Sequence, residues 1–240
     1  MINNGSRIVL PFDGLALDKA LEYSSTIGSR AALCKIHDLW DLEGPGVVKK
    51  LQDSGAARVW VDLKLHDIPK TVGRRAKAVA ASGAEVVTVH ASGGIAMMKA
   101  AAENIRFVLA ISVLTSLSED NTHLTYGDPA KATVIKLARL AVLAGVYGLV
   151  CSPKEVAVVR EQPELAKLKL FVPGIRRKDN AVQDQKRVDD PTNTIKAGAD
   201  YLVIGSPILE DKNPFAAFES FDKEISGAAF ERAQALVDGR

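Results

Sequence analysis

The chain has 240 residues, of which 47% are hydrophobic and 25% charged, enough to bury a large core without a second domain. A formal net charge of +2, with no Lys/Arg run interleaved with aromatics, gives nucleic acid no electrostatic footprint, so local basic clusters read as sites. No run of about 18 apolar residues occurs and the N-terminal stretch carries no long apolar segment, so neither membrane spanning nor export is expected.

Short apolar strand candidates alternate with longer amphipathic helical ones along the chain. The first strand spans Ile8 to Phe12, with a helix from Leu15 to Ile27. The second spans Ala31 to Ile36, followed by a Gly/Pro-punctuated loop and a helix over Gly46 to Ser54. Ala56 to Leu65 forms the third, with Thr71 to Ser82 as its helix; Val86 to His90 the fourth, with Ile95 to Glu103. Phe107 to Val113 is the fifth, and its helix runs from Pro129 to Ala144 with proline at a helix start. Gly148 to Cys151 is the sixth, then Pro153 to Arg160. Lys169 to Val172 is the seventh, then Thr192 to Ala197. Tyr201 to Ile204 is the eighth, followed by helices over Pro214 to Phe221 and Ala228 to Val237.

Eight strand-then-helix units in this length predict an α/β fold, a closed (β/α)8 TIM barrel occupying residues 1–240 as a single domain. Cys34 and Cys151 fall inside apolar runs without metal-ligand spacing. They are expected to be buried, reduced thiols in a cytoplasmic protein.

Barrel enzymes place their chemistry at the C-terminal ends of the strands. Polar residues stand at those ends here: Asp13, Lys35, Asp62 with Lys64, His90 and Thr115. Asp62 and Lys64 are two apart in a strand and share one face. Such a pair on a buried strand is costly unless it is paired or used, and the spacing alone fits a structural ion pair as well as a functional one. Phosphate in barrels often binds the loops after strands seven and eight. Here these are Pro173-Gly-Ile-Arg176-Arg177 and Gly205-Ser206-Pro207. Arg176 offers a bidentate fork, Gly205 permits close approach, and Gln185, in the polar loop that follows, has an amide to offer; a solvated loop is the plain alternative.

Asp62-x-Lys64-x-His66-Asp67-Ile68-Pro69, followed by Thr71 and Val72, resembles the signature of the orotidine 5'-phosphate decarboxylase family. The resemblance continues through Val89 to Gly94, Val113 to Ser116, Val150 to Pro153, Pro173 to Arg176 and Ala197 to Gly205, and so covers the barrel. It implies decarboxylation of the nucleotide without metal or organic cofactor, by an array of Lys35, Asp62, Lys64 and Asp67. Lys64 would protonate C6 of the pyrimidine, and Asp62 would sit against the departing carboxylate. Lys35 would orient Asp62 and the ribose, Asp13 would take a ribose hydroxyl, and Thr115 would meet the pyrimidine edge. Pro173, Arg176, Gln185, Gly205 and Ser206 would surround the phosphate. The resemblance also implies a homodimer in which Asp67, Ile68 and Thr71 reach the neighbouring subunit's site.

Two positions depart from the family pattern. Ser206 stands where the family usually has a second phosphate-gripping arginine, so a weaker grip is expected unless Arg177 or another cation replaces it. His37 stands where a glycine is usual; with Asp38 it is expected to form a locally hydrogen-bonded pair rather than to crowd the rim. His66, His90 and His123 lack metal-ligand spacing and read as structural hydrogen-bonders. The alternatives are a magnesium-dependent sugar-phosphate decarboxylase or aldolase sharing Asp-x-Lys-x-x-Asp, and a non-catalytic nucleotide-phosphate binder. The His-Asp-Ile-Pro continuation argues against the former and the intact charge array against the latter.

Overall fold

Runs of three to seven mostly β-branched or leucine residues, too short for helices and largely buried, form the strands. They are β1 (Ile8–Pro11), β2 (Leu33–Ile36), β3 (Val59–Leu65), β4 (Val86–His90), β5 (Phe107–Ile111), β6 (Gly148–Val150), β7 (Lys169–Val172) and β8 (Tyr201–Val203). The computed structural model describes Ile2, residues 5–177 and residues 190–239. All strands are parallel and close in sequence order, β8 returning to β1 through Ile8 opposite Leu202 and Val9 opposite Val203. The predicted (β/α)8 barrel is the observed fold.

Alternation along each strand divides the apolar residues into two cores. Val9, Leu33, Trp60, Val86, Leu109, Phe171, Tyr201 and Val203 fill the barrel interior, while their neighbours pack outward beneath the helices. Inside, the Phe171 and Tyr201 rings stack at 4.6 Å, and Trp60 meets Phe171 edge-on at 5.8 Å. This aromatic plug fills the barrel interior beneath the rim.

The helices are α1 (Leu17–Tyr23), α2 (Asp38–Glu43), α3 (Gly46–Asp53), α4 (Pro69–Ala81), α5 (Gly94–Ala102), α6 (Glu119–Tyr126), α7 (Ala130–Leu143), α8 (Pro153–Arg160), α9 (Pro191–Ala197), α10 (Ser206–Leu209) and α11 (Pro214–Val237). Helices α2, α6 and α10 were not expected from periodicity. Of these, α6 buries only Thr122 and rests on its ends: Ser118 accepts from the Asn121 amide, and Gly127 closes it at φ +82°. The first helix is shorter than predicted and ends in a π-turn over Ser24–Gly28. There the Ser24, Ser25 and Thr26 hydroxyls bond back to the carbonyls of Ala20 and Glu22. The two helices expected at the end are one, α11, because Ile225 and Ala228 keep the buried face continuous past Gly227. Among the described residues no helix is long and apolar enough to cross a membrane.

The end of the barrel opposite the rim is tied by Asp200. Its carboxylate accepts from Arg160 Nη2 at 2.5 Å, Lys169 Nζ at 3.2 Å and the Leu170 amide at 2.9 Å. Arg160 also donates to the carbonyls of Gly198 and Leu168, both at 2.9 Å, so one guanidinium joins three segments. Asp200→Ala is expected to lower unfolding free energy by about 3 kcal/mol, the cost of leaving a largely buried guanidinium without its acid, measured by denaturant titration.

Candidate active site

The C-terminal strand ends surround a cavity of about 410 Å³. Asp13, Lys35, Asp62, Lys64 and Thr115 line one part of it, and Pro173, Arg176, Gly205 and Ser206 another. The structure thus brings together residues predicted from six separate strand ends. Asp67, Ile68 and Thr71 stand outside this cavity in the single chain. Asp67 is exposed and caps the Ile68 amide at 2.6 Å, and the Ile68 side chain is 65% exposed at the start of α4. Gln185 lies outside the described residues.

The charge array is built around Asp62, which β3 points into the barrel. Its Oδ2 accepts from Lys64 Nζ at 2.8 Å and lies 3.3 Å from Lys35 Nζ. Its Oδ1 accepts from the Thr88 hydroxyl at 2.6 Å, and Lys35 also pairs with Asp13. Burial alone would push the Asp62 carboxyl up, but the two ammonium groups and the hydrogen bonds from Lys64 and Thr88 hold it below the ordinary carboxylate range. The carboxylate is therefore ionised at neutral pH.

Lys64 owes its position to an irregularity in β3. The pairing register with β4 shifts between Val61 and Leu65, and Lys64 adopts φ +47°, the one non-glycine positive φ among the described residues. The Thr88 hydroxyl accepts the Lys64 amide at 3.0 Å and holds the kink. Residues in such conformations cost of order 1–3 kcal/mol and cluster at functional sites. A regular strand would also put Asp62 and Lys64 on one face; the bulge turns the Lys64 backbone besides.

Thr88 escaped the sequence reading, although Val86, Thr88 and His90 alternate inward on β4 and a polar residue at the middle position is a readable signal. Trp60 was missed as well: its ring lies under the cavity with Lys35 Nζ 5.9 Å from its centroid. His37 and Asp38 do not form the expected local pair: the His37 Nδ1 lies 2.6 Å from the carbonyl of Asp62 on the neighbouring strand. Asp38 accepts the Gly14 amide at 3.1 Å and so fixes the loop that carries Asp13. Arg177 does not take up the missing phosphate contact. Its guanidinium pairs with Glu224 at 2.8 Å and covers the Phe221 ring at 3.9 Å, facing α11. Both thiols are free and buried, and burial pushes Cys34 up to about 12.

Fold and site together define a barrel enzyme with a buried acid held between two lysines at one end of its cavity and an arginine near the other. The chain belongs to the Orotidine 5'-phosphate decarboxylase / HUMPS family, whose sequence pattern it matches over residues 6–221. It is 42% identical over 221 residues to the orotidine 5'-phosphate decarboxylase of Anaeromyxobacter dehalogenans, covering 88% of this chain and 94% of that protein. The corresponding protein of Parasynechococcus marenigrum is 39% identical over 236 residues, covering 92% and 95%. The crystal structure of orotidine 5'-phosphate decarboxylase from Lactobacillus acidophilus superposes with a TM-score of 0.77 at 29% identity, over 92% of this chain and 99% of that one.

His90 stands beside the array, its ring 5.4 Å from that of His66. Burial first, then the neighbouring His66 and Lys64, hold its pKa below the ordinary 6.5, with Asp62 opposing. The unfolded chain therefore binds the proton more readily, and the contribution of His90 to stability is present above about pH 6.5 and lost as pH falls toward the folded value. NMR titration is expected to place His90 below the free-histidine value, and His90→Gln to flatten the fall of stability with pH across that window.

Proposed function

We propose that the chain decarboxylates orotidine 5'-phosphate to uridine 5'-phosphate in pyrimidine nucleotide synthesis, without a cofactor, as a single domain over residues 1–240. The observation that carries this reading is the 2.8 Å contact between Lys64 Nζ and a buried, ionised Asp62 in a cavity whose far side holds Arg176.

The pyrimidine lies over Lys64 with its carboxylate against Asp62. Two unit charges about 4 Å apart interact by roughly 4 kcal/mol at an effective dielectric near 20, so the acid disfavours the bound carboxylate appreciably. The larger contribution belongs to the transition state. As the C6–carboxylate bond breaks and carbon dioxide leaves, the electron pair stays on C6, where the Lys64 ammonium stabilises it and then donates its proton. The neutral amine regains a proton from solvent. Lys35 and Thr88 keep Asp62 from turning away.

Asp13 takes a ribose hydroxyl beside Lys35, and Thr115 meets the pyrimidine edge. Pro173, Arg176, Gln185, Gly205 and Ser206 surround the phosphate, whose binding energy appears in turnover when it orders the site. The working unit is a homodimer, and the exposure of Asp67 and Ile68 in the single chain, with Thr71 half-buried beside them, supports their reaching a partner's site. Residence in the cytoplasm accords with the buried reduced thiols.

Turnover of orotidine 5'-phosphate, followed by absorbance, is expected for the native chain and to persist after exhaustive chelation. Lys64→Ala should lose at least about 100-fold in kcat, since the proton donor is gone. Mixing Lys64→Ala with Asp67→Asn subunits should restore part of the activity, because one site of the mixed dimer is intact; an inactive native chain, or an undiminished Lys64→Ala, would refute the reaction. Ser206→Arg adds a charged hydrogen bond to the phosphate and should lower KM by about tenfold, read from initial rates.

A further inference from the structure

The loop after β8 contributes Gly205, Ser206 and Pro207 to the cavity and then forms α10, a helix of only four residues. So short an element cannot fix its own position, and its final carbonyl has no helical partner. That carbonyl, on Leu209, accepts a 2.5 Å hydrogen bond from the Tyr23 hydroxyl at the end of α1. Tyr23 is 6% exposed, and its ring stacks on Phe12 at 6.3 Å with an interplanar angle of 28°. Phe12 is fully buried, donates its amide to the Lys35 carbonyl at 2.8 Å, and directly precedes Asp13. One side chain therefore joins the loop carrying Asp13 to the loop carrying Ser206, from behind and without entering the cavity.

We infer that Tyr23 is a positioning residue for the phosphate end of the substrate, holding the Gly205 to Leu209 segment at a fixed distance from the Asp13 loop. The need arises at Ser206. Ser206 offers a hydroxyl and backbone groups rather than a long charged fork, and short donors act only where the main chain places them. The segment runs close to the end of β1, just before that loop: at Gly205 a Cβ would come within 3.0 Å of Pro11 Cγ. This inference rests on the assignment of that loop to phosphate in the proposed function.

The test is equilibrium titration of Tyr23→Phe with uridine 5'-phosphate and with uridine, beside steady-state kinetics. Phenylalanine keeps the stacked ring and removes only the bond to Leu209. Affinity for uridine 5'-phosphate should fall about three- to tenfold and KM rise to match, with kcat within about twofold of native and uridine affinity unchanged. Tyr23→Leu, which loses the stack as well, should go further in the same direction. Equal losses for the two ligands, or a variant that melts earlier yet binds the nucleotide as the native chain does, would overturn the inference and leave Tyr23 a purely structural residue. A native chain that binds the nucleotide without turning over orotidine 5'-phosphate defeats the proposed reaction separately, because the ratio of the two affinities is read without turnover. A native chain with no preference for the phosphorylated ligand removes the phosphate assignment and the inference with it.

Discussion

A carboxylate that must stay charged while almost out of reach of water is the constraint around which this molecule is arranged. Asp62 is 5% exposed, and burial opposes its charge more than any single neighbour favours it. It takes two ammonium groups and a hydroxyl acting together to reverse the balance, and each comes from a different part of the barrel wall: Lys35 from β2, Lys64 from β3 and Thr88 from β4. The closed sheet keeps these three strands side by side, with the aromatic plug below them. Removing one partner would leave the other two to offset the desolvation of the charge.

The same wall separates function from stability along the barrel axis. At one end the charged groups face a cavity and are held partly by strain, as at Lys64. At the other, Asp200 and Arg160 satisfy each other and the surrounding carbonyls with nothing left over for a ligand. The two ion clusters use the same residue types. What differs is what each satisfies: Arg160 donates to two backbone carbonyls, whereas the groups around Asp62 line the cavity of about 410 Å³.

The strands were legible because buried parallel strands announce themselves as short apolar runs, and their order followed from the alternation with helices. Their polar end residues located the rim, and Asp13, Lys35, Asp62, Lys64, Thr115 and Arg176 all line one cavity. What could not be read depends on ends and on partners. Helices α6 and α10 have too few buried residues to carry a period. Thr88 was passed over because a threonine in a valine-rich strand is an ordinary β-former until the carboxylate opposite it is known. Arg177 was a candidate for the phosphate on charge alone, but its pairing partner lies 47 residues further on, in α11. Asp67, Ile68 and Thr71 stand outside that cavity in the single chain.

The left-handed turn at Lys64 bears on how transferable this site is. The ammonium is aimed by the main chain before any side-chain torsion is chosen, and the main chain is aimed in turn by a hydroxyl on the neighbouring strand. Grafting the four charged residues onto another barrel with regular strands would reproduce the composition and miss the direction. The transferable unit is the kinked pair of strands with the lysine at its turn, and a designer reusing this scaffold would do better to keep the pair and vary the loops around it.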